Sequence, residues 1–128
     1  MKKITESTEF NYPIDAIWNI ISDISRSDWV PGVDKITLDG DTRIFEMEGM
    51  GDLVEKIISC DEKNYELKYS AIKTAVPIEH HLALIKLTKS GDKTLFSWST
   101  EIDPEIFSDA IQQGMRESLK ELQRVLDS

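Results

Sequence analysis

The closing segment of this chain constrains everything before it. From Pro104 to Leu126, the residues Phe107, Ala110, Ile111, Met115, Leu119, Leu122 and Leu126 recur at helical spacing. Gln112, Arg116, Glu117, Lys120, Glu121 and Arg124 take much of the opposite face. The pattern predicts one long amphipathic helix, capped by Asp103 with Pro104 at its first helical position. Such a helix must bury its apolar stripe, and no second long helix is predicted. The remaining partner is a sheet, and the concave face of a curved sheet offers the stripe a place to lie.

The middle of the chain supplies that sheet. A first strand is expected over Lys3 to Asn11. Six more runs follow: Val33 to Leu38, Thr42 to Met47, Leu53 to Cys60, Tyr65 to Ile72, Ile78 to Thr88 and Thr94 to Ile102. Polar or glycine-bearing turns such as Asp39-Gly40-Asp41 and Ser90-Gly91-Asp92 separate many of them. Closely spaced strands with short turns predict an antiparallel meander. Tyr65, Leu67 and Tyr69 alternate with polar residues, as do Phe96, Trp98 and Thr100. His81, Ala83, Ile85 and Leu87 share a face too. Side chains alternate across a strand, so these sets should look toward one interior.

Between the first strand and the meander, Ile14, Ile17, Trp18 and Ile21 form an apolar stripe that begins behind Pro13. A second short helix is expected from Ser25, carrying Trp29 and stopped by Pro31-Gly32.

The segments Tyr12-Pro13-Ile14-Asp15-Ala16-Ile17-Trp18 and Asp28-Trp29-Val30-Pro31-Gly32-Val33, followed by strands and the closing helix, resemble the SRPBCC superfamily. That superfamily is also called START-like or Bet v 1-like. Trp29-Val30-Pro31-Gly32-Val33 and the strand ending Glu101-Ile102-Asp103-Pro104 resemble its polyketide cyclase/dehydrase-like branch. The resemblance spans essentially the whole chain and rests on architecture rather than on a catalytic signature. It implies an α+β helix-grip fold over residues 1–128 as a single domain. About seven antiparallel strands would wrap the C-terminal helix, with two short helices after strand 1. It also implies an internal cavity for a hydrophobic ligand, while leaving the function open.

Composition narrows the partners. Lys and Arg total 15 against 24 Asp and Glu, a formal charge of -9, which argues against nucleic acid and anionic membrane surfaces. No apolar run is long enough for a membrane span, and none follows the N-terminus as a secretory signal would, so a cytoplasmic address is expected. The lone cysteine, Cys60, excludes an internal disulfide and is expected as a small strand-end or core residue. No cofactor motif or metal-binding pattern is present, and adjacent His80 and His81 should diverge on a strand.

Three sets of residues are candidates for chemistry. His81 could be a general base or could hydrogen-bond a ligand carbonyl; alternatively, a neighbouring hydroxyl or backbone carbonyl satisfies it. Arg43 and Glu55 lie on consecutive strands, and one register places them opposite each other. They could serve an anionic or enolate group and a proton transfer, form a structural ion pair, or sit solvated on the convex face. Trp29, Trp98, Tyr65 and Tyr69 suit a cavity for flat or hydrophobic molecules, or simple core packing, the expected role of Trp18. Met47, Met50 and Met115 could line it, and Gly114 could leave room in the helix.

The leading expectation is a carrier or sensor that binds a small hydrophobic or aromatic molecule through Trp29, Arg43, Tyr69, His81, Trp98 and Met115. An alternative is a cyclase or dehydratase with His81 or Glu55 as base and Arg43 or a tyrosine stabilising charge. Another is an interaction module with a closed cavity, in which Leu82 and Leu84 form an outer contact. Monomer and homodimer both remain open.

Overall fold

A computed structural model describes all of residues 1–128. Seven strands form one antiparallel sheet: β1 (Lys2–Phe10), β2 (Ile36–Asp39), β3 (Thr42–Met47), β4 (Gly51–Asp61), β5 (Glu66–Thr74), β6 (His80–Ser90) and β7 (Lys93–Asp103). Their order is β1-β7-β6-β5-β4-β3-β2. Strands β2 to β7 are a meander of hairpins, and β1 adds beside β7 at the far edge. Helix α1 (Ile14–Ile21) and the loop after it carry the chain from one edge to the other. Helix α2 (Ser108–Asp127) lies across the concave face, so the helix-grip fold expected from the sequence is the observed one.

The alternation of the strands accounts for the core. Leu67, Ala83, Ile85, Leu87, Phe96, Trp98 and Thr100 all point inward and are buried. Phe96 holds Phe10 and Trp98 edge-on, with ring centroids 5.8 and 6.0 Å away. Helix α1 contributes Ile14, Ile17, Trp18, Ile20 and Ile21 to the same cluster. From α2 come Met115 and Leu122, with Leu119, Val125 and Leu126 packed at the margin. Leu122 is fully enclosed, a burial that contributes about 2–3 kcal/mol. Glu6 on β1 ties the helix to the sheet edge: Arg116 Nε donates to its carboxylate at 2.7 Å and Gln112 at 3.2 Å. The Arg116 hydrogen bond holds the Glu6 carboxyl below its ordinary range.

Three expectations about the elements need correction. The second short helix is absent. Residues 23–33 form successive turns, closed by Arg26 N–H to Asp23 O and Val30 N–H to Ser27 O. Ser25 directs both its hydroxyl and its N–H at the Asp23 carboxylate rather than capping a helix. Such local side-chain bonds compete with helix formation. Asp103 does not cap α2. It still pairs with His80 in the sheet, and its carbonyl accepts from Glu79 N–H at 2.8 Å. Pro104 is extended, a 3-10 turn (Glu105–Phe107) follows, and α2 begins only at Ser108. Finally, β2 starts at Ile36 rather than Val33, because Val33 N–H closes a turn onto Val30.

Candidate functional site

Helix α2 is held to β1 and β7 by Gln112, Met115 and Arg116, while its N-terminal half stands off from β3 to β5 on the other side. Under the standing-off half lies a cleft of about 460 Å³. Its roof is Ala110, Ile111, Gly114, Met115 and Ser118. Its floor is Phe45 and Arg43 on β3, Leu53 and Glu55 on β4, Tyr69 and Ala71 on β5, His81 on β6, and Trp98 and Thr100 on β7. Two loops make the rim: Trp29-Val30-Pro31 after α1, and Met47-Glu48-Gly49-Met50 between β3 and β4. The loops are stitched together where Gly32 O accepts from Glu48 N–H at 2.9 Å. Gly32 has φ +78°, and a Cβ there would sit 3.3 Å from Glu48, so glycine serves both the turn and the close approach. Gly114 plays another part: a Cβ built on it meets nothing within 4 Å. Its missing side chain is open space beneath the helix.

The sequence left Arg43 and Glu55 with three readings. They are directly opposite each other in the β3–β4 ladder and both face inward. Arg43 Nε donates to Glu55 Oε1 at 2.7 Å, with side chains only 10% and 13% exposed. The solvated, convex-face reading is therefore excluded. The guanidinium carbon also stands 4.7 Å above the centre of the Tyr69 ring. A cation over an aromatic face in a desolvated place adds to the ion pair.

His81 has a more specific environment than the sequence suggested. Strands β5 and β6 pair only over Glu66–Tyr69 and Ala83–Lys86, then splay although both continue. The side chains of Ser70 and His81 bridge the split. Ser70 Oγ donates to the His81 carbonyl, and Ala71 N–H donates to His81 Nδ1 at 2.8 Å. Because Nδ1 accepts, the neutral ring carries its proton on Nε2. Burial pushes the His81 pKa down, Glu55 opposes that shift and His80 adds to it. The imidazole is thus held neutral, with its lone pair already used. Of the two roles expected for His81, general base or hydrogen bond to a ligand carbonyl, this arrangement favours the second, through the Nε2 N–H. A smaller hollow of about 310 Å³ lies at the same split, and Ala71, Ile78 and His81 border both spaces. His80 turns the other way, as expected for neighbours on a strand, and meets Glu101 at 3.0 Å.

Among the aromatic candidates, Trp29, Tyr69 and Trp98 line the cleft, with Trp29 and Trp98 5.9 Å apart. Tyr65 does not. It sits in the β4–β5 turn at φ +54°, packs edge-on against Trp18 and donates its hydroxyl to Asp15 at 2.8 Å. It packs against the same core as Leu67, but at the α1 end and away from the cleft. Desolvation raises the Tyr69 pKa well above the ordinary phenol value, so its hydroxyl stays protonated. Trp98 Nε1 is buried without a hydrogen-bond partner.

Other candidates fall into place. Met47, Met50, Met115 and Gly114 all line the cleft. Leu82 and Leu84 are half-buried rather than a bare outer patch. Cys60 is exposed near the end of β4, and desolvation first, then Glu62 and Asp61, raises its thiol pKa, the reverse of activation. No three His, Cys, Asp or Glu side chains come together as a metal-holding group. No helix is long and apolar enough to cross a membrane.

The family model for polyketide cyclase / dehydrase and lipid transport matches residues 1–127. The chain belongs to that family. No curated protein matches the sequence. Among solved structures, XoxI from Bacillus cereus superposes with a TM-score of 0.89 at 21% identity, covering 98% of this chain and 96% of that one. A START superfamily protein from Mycobacterium smegmatis gives 0.81 at 12% identity, covering 98% and 97%. Norcoclaurine synthase from Thalictrum flavum, solved with dopamine and hydroxybenzaldehyde, gives 0.77 at 19% identity, covering 98% and 86%. At these identities the likeness establishes the shared fold.

In this polyketide cyclase/dehydrase and lipid-transport family member, sequence reasoning missed much of the apolar lining. Phe45 and Leu53 stand on the inward faces that Arg43 and Glu55 also occupy, two residues along each strand. The same alternation that placed the ion pair would have found them. Ile78 and Val30 come from loops and gave no such signal.

Proposed function

We propose that the cleft between α2 and the sheet binds a small hydrophobic or aromatic molecule, and that the protein acts as a carrier or sensor of it. The observation that carries this reading is the stand-off of the N-terminal half of α2 above a mostly apolar floor, with Gly114 leaving further space. Of the 25 lining residues 14 are hydrophobic, and Arg43, Glu55 and His81 gather in one corner of the floor, so apolar contact would give affinity and that corner orientation. The volume suits a molecule of two or three fused rings or a short acyl chain.

Native mass spectrometry of the protein as purified, followed by denaturation and identification of any released compound, tests the reading. A stoichiometric hydrophobic passenger supports it. A bare chain that also leaves the fluorescence of Trp29 and Trp98 unchanged across a panel of apolar probes overturns it.

The family's cyclase and dehydrase members supply a second reading, enzymatic turnover in the same cleft. Here Glu55 would be the base, since its second carboxylate oxygen lacks a protein partner while the Nδ1 lone pair of His81 is engaged. Turnover of a carbonyl substrate that survives Glu55→Gln would remove Glu55 from that role.

A further inference from the structure

The polar corner of the cleft is unbalanced in a way that selects a ligand. Four side chains meet there from four strands: Arg43, Glu55, Tyr69 and His81. Arg43 uses Nε on Glu55, and its terminal nitrogens make no hydrogen bond within the protein. His81 offers only Nε2–H, because Ala71 N–H occupies Nδ1. The Tyr69 hydroxyl makes no hydrogen bond to the protein while its side chain lines the cleft, so its proton is free to be donated to a ligand. Three different strands therefore present free donors. The only carboxylate, Glu55, is already engaged by Arg43.

Charge is balanced where hydrogen bonds are not. Arg43 and Glu55 neutralise each other, and both are largely withdrawn from water. A carboxylate or phosphate placed in this corner would bring an unpaired negative charge close to Glu55, at a desolvation cost no new cation offsets. A neutral oxygen acceptor has no such penalty and satisfies the free donors.

We propose that the cleft selects an apolar, flat molecule bearing a neutral carbonyl oxygen, with that oxygen seated among Arg43, Tyr69 and His81. The inference rests on the cleft being a ligand site and adds the chemical class of the ligand. The ring system lies toward Phe45, Met115 and the space at Gly114, and the carbonyl fixes its orientation.

Three probes with one ring system separate the possibilities: naphthalene, 2-acetylnaphthalene and 2-naphthoate. Each is titrated into the full-length protein, with binding followed by tryptophan fluorescence or by chemical-shift changes. The ketone should bind about tenfold more tightly than the hydrocarbon, the worth of roughly one well-made hydrogen bond. It should exceed the carboxylate by at least as much. In Tyr69→Phe the ketone should lose more affinity than naphthalene does, so that its advantage shrinks. In Glu55→Gln, which frees the Arg43 charge, 2-naphthoate should gain and overtake the ketone. Equal binding of all three probes overturns the carbonyl assignment and leaves the hydrophobic-site reading standing. Preference for 2-naphthoate by the native protein overturns it in favour of an anion site. Binding of none of them removes the ligand site itself, and the assignment with it.

Discussion

The two halves of α2 are built from one amphipathic pattern but do opposite things. Around Leu119, Leu122, Val125 and Leu126 the helix closes on α1 and the strands β5 to β7, in a core of 17 buried residues. Around Ala110, Ile111 and Gly114 it faces an open space, and beyond that space β2 to β4 gather only a four-residue cluster of Val33, Ile36, Phe45 and Leu53. The difference comes from side-chain size and from what lies opposite. Leucines reach across to the mixed aromatic and aliphatic core; alanine and glycine do not, and the wall they face carries Arg43, Glu55 and His81. Stability is concentrated at one end of the helix and open volume at the other.

That contrast can be broken by mutation. Leu122→Ala should cost about 2–5 kcal/mol in chemical denaturation, as for other fully enclosed leucines. Ile111→Ala, at the cleft end and half-buried, should cost about 1 kcal/mol. Equal costs would mean that the cleft end is packed as tightly as the core.

Removing either partner of the Arg43–Glu55 pair strands a poorly hydrated charge. Arg43→Met and Glu55→Gln should each cost about 2 kcal/mol, and the double variant less than their sum. Strict additivity in a double-mutant cycle would show that the pair is not coupled in solution.

A smaller effect should appear with pH. The folded protein holds His81 neutral with a lowered pKa, so the unfolded chain takes up the proton first. The stability this gives is present above the ordinary histidine value. It is lost as pH falls through that value toward the lower folded one. Denaturation midpoints should therefore drop on acidification, and His81→Asn, which can still accept from Ala71 N–H, should flatten that drop. An identical acid slope in the variant would assign the effect elsewhere.

Gly114→Leu should change stability least, gaining at most about 1 kcal/mol in helix propensity, yet it should fill the cleft. Retained probe affinity in that variant would place the bound molecule away from the helix.

Much of the fold was legible in the sequence because period-two and period-3.6 patterns report burial directly. The inward set Phe96, Trp98 and Thr100 and the stripe of α2 follow from spacing alone. The apparent second helix shows where spacing stops informing, since Asp23 captures Ser25 by a local hydrogen bond. The site was legible in part. Arg43 opposite Glu55 could be written down as one register among several, and the observed ladder chose it. The fixed protonation of His81 could not be read, because it depends on where β5 and β6 part, and nothing in either strand alone announces that split.

The strand order has a consequence for how the chain is made. Strand β1 leaves the ribosome first, yet its only ladder partner is β7, with Lys2 opposite Ile102. The hairpins from β2 to β7 can zip in the order of synthesis, whereas β1 must wait until β7 has emerged. During that wait β1 has no ladder partner, and its backbone is open to the β7 of a neighbouring molecule. Prompt pairing of residues 2–10 with the β7 of their own chain thus separates a complete seven-stranded sheet from strand exchange between chains.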